Sequence, residues 1–174
     1  MKIVDKNFFM IPVEHLAINL LGKIIVRKMS SGEIKRFRIT STEGYGGKED
    51  SASHAYKKKT KRNAPMFENG GILYVYLCYG IFELLNIVSG TSENAEAVLI
   101  TGVDEIIGPG RVSRLLEITR ELNFRDLTNN TEIWLEDDGF KPTAIKREKR
   151  VGIGYALIED KEKLWRFSID VISH

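Results

Sequence analysis

A single cysteine, Cys78, in 174 residues excludes an internal disulfide framework. The three histidines, His15, His54 and His174, lack metal-ligand spacing, and no Cys/His cluster accompanies them, so no metal is expected. No apolar run approaches the roughly 18 residues of a membrane span, and the opening MKIVDKNFFM lacks a signal-peptide core. Proline is scarce, at four, and no Pro/Ser-rich linker, internal repeat or low-complexity tract divides the chain. A serine nucleophile elbow and a Walker lysine pattern are both missing. What is present is 43% hydrophobic and 29% charged, apolar enough for a core without covalent staples. The expectation is one domain over residues 1–174, soluble, intracellular (cytoplasm, nucleoid or nucleus), not bound to a membrane, with nothing that demands more than a monomer.

The net charge of +2 conceals a strong asymmetry. Between Lys23 and Arg62 there are 12 Lys/Arg against 4 Asp/Glu, whereas the remainder carries 14 basic and 20 acidic residues. A basic face with an acidic back steers a polyanion to one side. The densest stretch is KKKTKR, comprising Lys57, Lys58, Lys59, Thr60, Lys61 and Arg62. Taken alone, such a run reads first as a solvated loop, and a binding role needs corroboration.

Hydrophobic patterning gives few helices and many strands. PVEHLAINLL (Pro12–Leu21) reads as a short helix stopped by Gly22. Lys23–Lys28 and Ile34–Thr42 read as an antiparallel hairpin, with Phe37, Ile39 and Ser41 on one face of the second strand. Glu43–Gly70 then runs without helix or strand periodicity, a length that in a compact domain points to function. Ile72–Tyr79 and Ile81–Ser89 form a second hairpin around Gly80, and Ala97–Val103 is a further strand. Arg111–Leu122 is expected to be a helix; Glu132–Leu135, Val151–Ile158 and Trp165–Asp170 are expected to be strands. Strands arriving as hairpins predict an α+β fold: an antiparallel or mixed sheet with peripheral helices and a protruding hairpin.

Candidate chemistry concentrates between Glu43 and Asn86. Glu43 ends a strand where a loop opens, and a carboxylate held there beside a water can act as a general base. Tyr45, Asp50, His54 and Tyr56 follow within thirteen residues. Histidine there serves a heterocycle, acid–base chemistry or a buried partner. Tyr74 and Tyr76 share a strand face, and Tyr79 lies at the turn. Strand tyrosines are ordinarily core, yet a ring exposed at a hairpin tip beside a basic loop is a wedge for a nucleic-acid groove. Asn86, among Leu84, Leu85, Ile87 and Val88, needs hydrogen-bond partners wherever it is buried. The GPG before Arg111 offers backbone N–H groups to a phosphate, a feature also common in plain turns.

Read together, STEGYGGKEDSASHAYKKKTKRNAPMF, GGILYVYLCYGIFELLNIVSG and AVLITGVDEIIGPGR resemble the alkyladenine (3-methyladenine) DNA glycosylase family. The resemblance begins at LLGKIIVR (Leu20–Arg27), returns at RVGI (Arg150–Ile153) and WRF (Trp165–Phe167), and covers most of the chain in the family's order. It implies a monofunctional glycosylase that flips alkylated or deaminated purines out of duplex DNA and leaves an abasic site, without a cofactor. In that pattern Glu43 activates the water, Tyr45 and Tyr76 sandwich the base, His54 hydrogen-bonds it, and Asn86 crowds purines bearing a 2-amino group. The match assigns Tyr79 to the minor groove and places Thr60, Arg62 and Asn63 in the DNA-facing loop. Lys57, Lys58, Lys59 and Arg111 are expected to add phosphate contacts and a steep salt dependence.

Three positions depart from the family pattern: Thr101 stands where an arginine is usual, Lys61 replaces a proline, and Gly44 replaces an alanine. A non-catalytic, damage-specific DNA-binding protein of the same fold is the alternative reading. An RNA-binding domain using the same basic and aromatic surface is a third, although a wedge at a hairpin tip suits duplex DNA better.

Overall fold

A computed structural model describes residues 1–3 and 5–170; His174 lies outside them. The first helix, α1 (Val13–Asn19), begins after Pro12, and its first N–H is accepted not by a local cap but by the Glu96 carboxylate at 3.1 Å. Gly22, at φ +84°, ends this segment, and a Cβ there would stand 2.6 Å from the Phe140 ring. Strands β1 (Ile24–Lys28) and β2 (Ile34–Tyr45) form the expected hairpin, with Ile24 opposite Arg38. Next come β3 (Leu73–Cys78), β4 (Phe82–Ser89), β5 (Glu96–Val103) and the two-residue β6 (Ile106–Ile107). Helix α2 (Pro109–Leu115), β7 (Ile133–Glu136), β8 (Lys146–Glu148), α3 (Ile158–Lys161) and β9 (Arg166–Ser168) complete the chain. All the strand pairings are antiparallel, in the order β3-β4-β5-β2-β1-β7, with β9 also on β2 and β8 on β9. The fold is α+β. Among the described residues no helix is long and apolar enough to cross a membrane.

Period-two alternation divides the sheet into two faces of different character. Leu73 and Val75, Leu85 and Ile87, and Val98 and Ile100 point to one side, where they join Leu16 and Ala17 of α1 and Val112 of α2 in the main core. Each such side chain contributes about 1.5–3 kcal/mol when fully buried. The intervening residues Tyr74, Tyr76, Leu84, Asn86, Ala97 and Leu99 point to the other side, away from α1 and α2, and line a cavity.

Three expectations need correction. Strand β2 continues through Tyr45, so Glu43 lies inside a strand, hydrogen-bonded on both edges, rather than at its end. The helix expected over Arg111–Leu122 stops at Leu115, because Arg27 takes the carbonyls of Leu116 and Glu117 at 3.0 and 3.2 Å and Glu117 turns left-handed. The strand expected over Val151–Ile158 is a series of turns leading into α3. Its N–H groups go elsewhere: Val151 donates to Glu43, and Leu157 donates to the Ser51 hydroxyl.

Candidate active site

The register of five strands builds one row across the open face of the sheet. Arg166 pairs with Glu43, Glu43 with Leu99, Leu99 with Asn86, and Asn86 with Tyr74. All five line a cavity of about 490 Å³, together with Tyr45, His54, Tyr76, Tyr79 and Thr101. Residues 31 to 123 positions apart from Glu43 thus reach it through strand pairing alone.

Glu43 is 3% exposed. One carboxylate oxygen accepts the Tyr45 hydroxyl at 2.8 Å, and the other accepts the Val151 N–H at 3.1 Å. Burial pushes its pKa above the usual carboxylate value, against the lowering pull of these two donors and of the Arg166 and Arg150 cations. Burial, then the nearby Glu43 charge, raises Tyr45 well above an ordinary phenol, so its hydroxyl stays protonated and keeps donating. Tyr74 and Tyr76 are raised by burial as well.

His54 stands at the cavity mouth, its Nδ1 sharing a hydrogen bond with the Tyr74 hydroxyl at 2.9 Å and its ring set edge-on to Tyr76 at 4.5 Å. Dehydration by these neighbours, and then the Arg62 cation, lowers its pKa, leaving a neutral imidazole near pH 7 with its second nitrogen available to a ligand. The buried Asn86 amide donates to the Tyr74 and Leu84 carbonyls at 3.2 and 3.3 Å. Thr101 donates its hydroxyl to Ser41 at 2.7 Å.

At the tip of the β3–β4 hairpin, Tyr79 and Gly80 both have positive φ, and the Tyr79 ring is 90% exposed. A left-handed tyrosine costs roughly 1–3 kcal/mol, strain that fixes an apolar ring in solvent. In the neighbouring loop Lys57, Lys58, Lys59, Thr60 and Arg62 are exposed. Arg62 reaches the cavity wall, over the Tyr76 ring at 5.4 Å and onto the Leu77 carbonyl at 2.9 Å. Asn63 is turned inward instead: its side-chain NH₂ donates to the His54 and Lys58 carbonyls at 2.9 and 3.0 Å, and its oxygen accepts from Thr60 N–H at 2.7 Å. It holds the loop rather than presenting itself to solvent. Arg111, exposed on α2, contacts the Ile107 carbonyl and is not part of the cavity wall.

Several residues of the site escape a linear reading. Tyr74 is signalled only by its alternation with Tyr76. Arg150, the Val151 amide, Tyr155 and Arg166 come from the far end of the chain, where the short stretches RVGI and WRF give no hint that they flank a carboxylate. The geometry gives a dry carboxylate with two donors beside three phenol rings, a neutral imidazole and an adjoining cationic loop. It can accept a proton next to a flat, electron-poor guest.

The Methylpurine-DNA glycosylase family model matches residues 7–107 and 103–171. Curated relatives span nearly the whole chain. A protein of Borreliella afzelii (strain PKo) named "Putative 3-methyladenine DNA glycosylase" is 37% identical over 179 residues, 96% of each chain. Proteins of the same name from Chlorobium phaeobacteroides (strain DSM 266 / SMG 266 / 2430) and Psychrobacter cryohalolentis (strain ATCC BAA-1226 / DSM 17306 / VKM B-2378 / K5) are 39% and 34% identical, over 95% of this chain and 92% and 91% of theirs.

Proposed function

The chain belongs to the methylpurine-DNA glycosylase family, hydrolases of N-glycosyl bonds in DNA repair, and from that premise we propose that it excises alkylated or deaminated purines from duplex DNA as a monomer, with Glu43 as general base. The observation that carries this reading is the buried Glu43 carboxylate, held by Tyr45 and Val151 in the wall of a cavity shared with Tyr76 and His54.

The basic loop of Lys57, Lys58, Lys59 and Arg62 contacts phosphates, and Tyr79 enters the minor groove to fill the space of the extruded nucleotide. The everted purine enters between Tyr45 and Tyr76, and His54 hydrogen-bonds its edge. An alkylated purine is cationic, so each aromatic face favours it by about 0.5–2 kcal/mol. Glu43 takes a proton from water, and the water oxygen bonds to the sugar C1′. The electron pair of the breaking N-glycosidic bond leaves with the base, neutralising its charge, so no acid is required for such a leaving group. The products are a free base, an abasic site and a protonated Glu43, which returns its proton to solvent. Asn86, pinned by the Tyr74 and Leu84 carbonyls, narrows the far wall against larger purines.

Incubation with alkylated duplex DNA, followed by chromatography of the supernatant, is expected to reveal free methylated purines. Glu43→Gln is expected to bind the same DNA while releasing base about 10²–10⁴-fold more slowly. Base release by Glu43→Gln at the parental rate would remove Glu43 from the mechanism.

A further inference from the structure

We infer that Arg166 is the resident counter-cation of Glu43, a positioning residue that keeps this carboxylate ionised for its work as a base; the inference rests on the reading of Glu43 given above. The two residues are cross-strand partners on β9 and β2, so their side chains leave the sheet on the same face and side by side. Arg166 Nε lies 4.0 Å from Glu43 Oε1, and the two side chains are 26% and 4% exposed. That Nε is buried and has no hydrogen-bond acceptor in the protein, and among the described residues Arg166 forms no other salt bridge, although Glu148 is its cross-strand partner on β8. A charged donor is costly to dehydrate without compensation, and the adjacent anion is the compensation at hand.

The other groups around Glu43 leave this task to Arg166. Tyr45, from its own strand, and Tyr76 and Tyr155, from β3 and the turn before α3, are neutral phenols. Val151 offers a backbone N–H. Arg150 is the second cation, but it is engaged elsewhere: its guanidinium donates to both oxygens of Asp50 and to the carbonyls of Gly44 and Asp160. Arg166 therefore supplies the positive charge not already committed to another carboxylate. In a cavity wall, where water screens poorly, a cation at this range favours the ionised carboxyl strongly. The burial that pushes Glu43 upward is thereby partly offset.

The test is single-turnover release of 3-methyladenine from alkylated duplex DNA as a function of pH, with DNA affinity measured in parallel. Arg166→Gln, and Arg166→Met, which keeps the aliphatic stem, are expected to move the acid limb of the profile upward by about one to three pH units, with release recovering at higher pH. Arg166→Lys is expected to bring the limb back toward the parental position. Loss of release by the same factor at every pH, or weakened DNA binding with an unmoved limb, would overturn the role of Arg166. Should Arg166→Gln be too unstable to assay, the comparison of Arg166→Met with Arg166→Lys decides the matter in the same terms. Glu43→Gln separates the two levels. A Glu43→Gln variant active at the parental rate overturns the assignment of Glu43 as the base on which this inference rests, whereas an inert one combined with an unmoved limb overturns only the inference about Arg166.

Discussion

Asp50 and Arg150, 100 residues apart, form a two-pronged ion pair whose side chains are 1% and 0% exposed. The Arg150 guanidinium also lies over the rings of Tyr45 and Trp165, with centroids at 5.0 and 5.4 Å. The pair ties the loop after β2 to the turns before α3 and braces the tyrosine that holds Glu43. Breaking one side leaves the other charge buried without a partner. Arg150→Met is expected to lower stability by about 3–5 kcal/mol in urea unfolding, and adding Asp50→Leu is expected to recover part of that loss. Additive losses in the double variant would contradict this account.

The strained hairpin tip predicts a separation of stability from activity. Tyr79→Gly removes the ring but relieves the left-handed tyrosine, and this relief offsets the added freedom of the unfolded chain. Its stability is expected to stay within about 1 kcal/mol of the parent, while affinity for lesion-bearing duplex falls several-fold. Unchanged affinity, measured by fluorescence anisotropy, would assign the strain some other purpose.

The exposed lysines make an ionic-strength prediction. With Lys57, Lys58 and Lys59 each on a phosphate, their combined replacement by alanine is expected to reduce the slope of log affinity against log salt by about 0.9 per lost contact. Damaged and undamaged duplex should weaken alike, since phosphates carry no lesion information. A parental slope in the triple variant would leave the run a solubilising loop.

The raised Glu43 pKa has a sign that can be measured. Between the ordinary carboxylate value and the raised folded one, the folded protein binds more protons at this site than the unfolded chain does. Stability from this group is therefore present at low pH and lost as pH rises through the folded pKa. Glu43→Gln is expected to flatten that part of the pH–stability curve and to be the more stable form above it, as judged by chemical denaturation. A Gln variant that is less stable than the parent there would contradict the desolvation argument.

The order of residue types encodes what local physics can fix. Alternating apolar residues specify β3, β4 and β5, Gly80 marks the tip, and the charge count isolates the basic loop. The dense motifs between Glu43 and Asn86, read as a group, also point to the family, because residue types and their order survive without coordinates. The remainder depends on contacts between distant segments. Whether Glu43 is dry, and which cation faces it, depends on strand register between segments more than a hundred residues apart, and no local periodicity records that register. The same holds where tertiary bonds override local preference: Arg27 claims the carbonyls at the end of α2, and Glu43 and Ser51 claim the amides of the stretch that reads as a strand. Asn63 shows it at the scale of one side chain. Its place in a basic loop suggests a DNA contact, but three hydrogen bonds turn it inward, because a buried amide must find partners and the loop's own backbone supplies them.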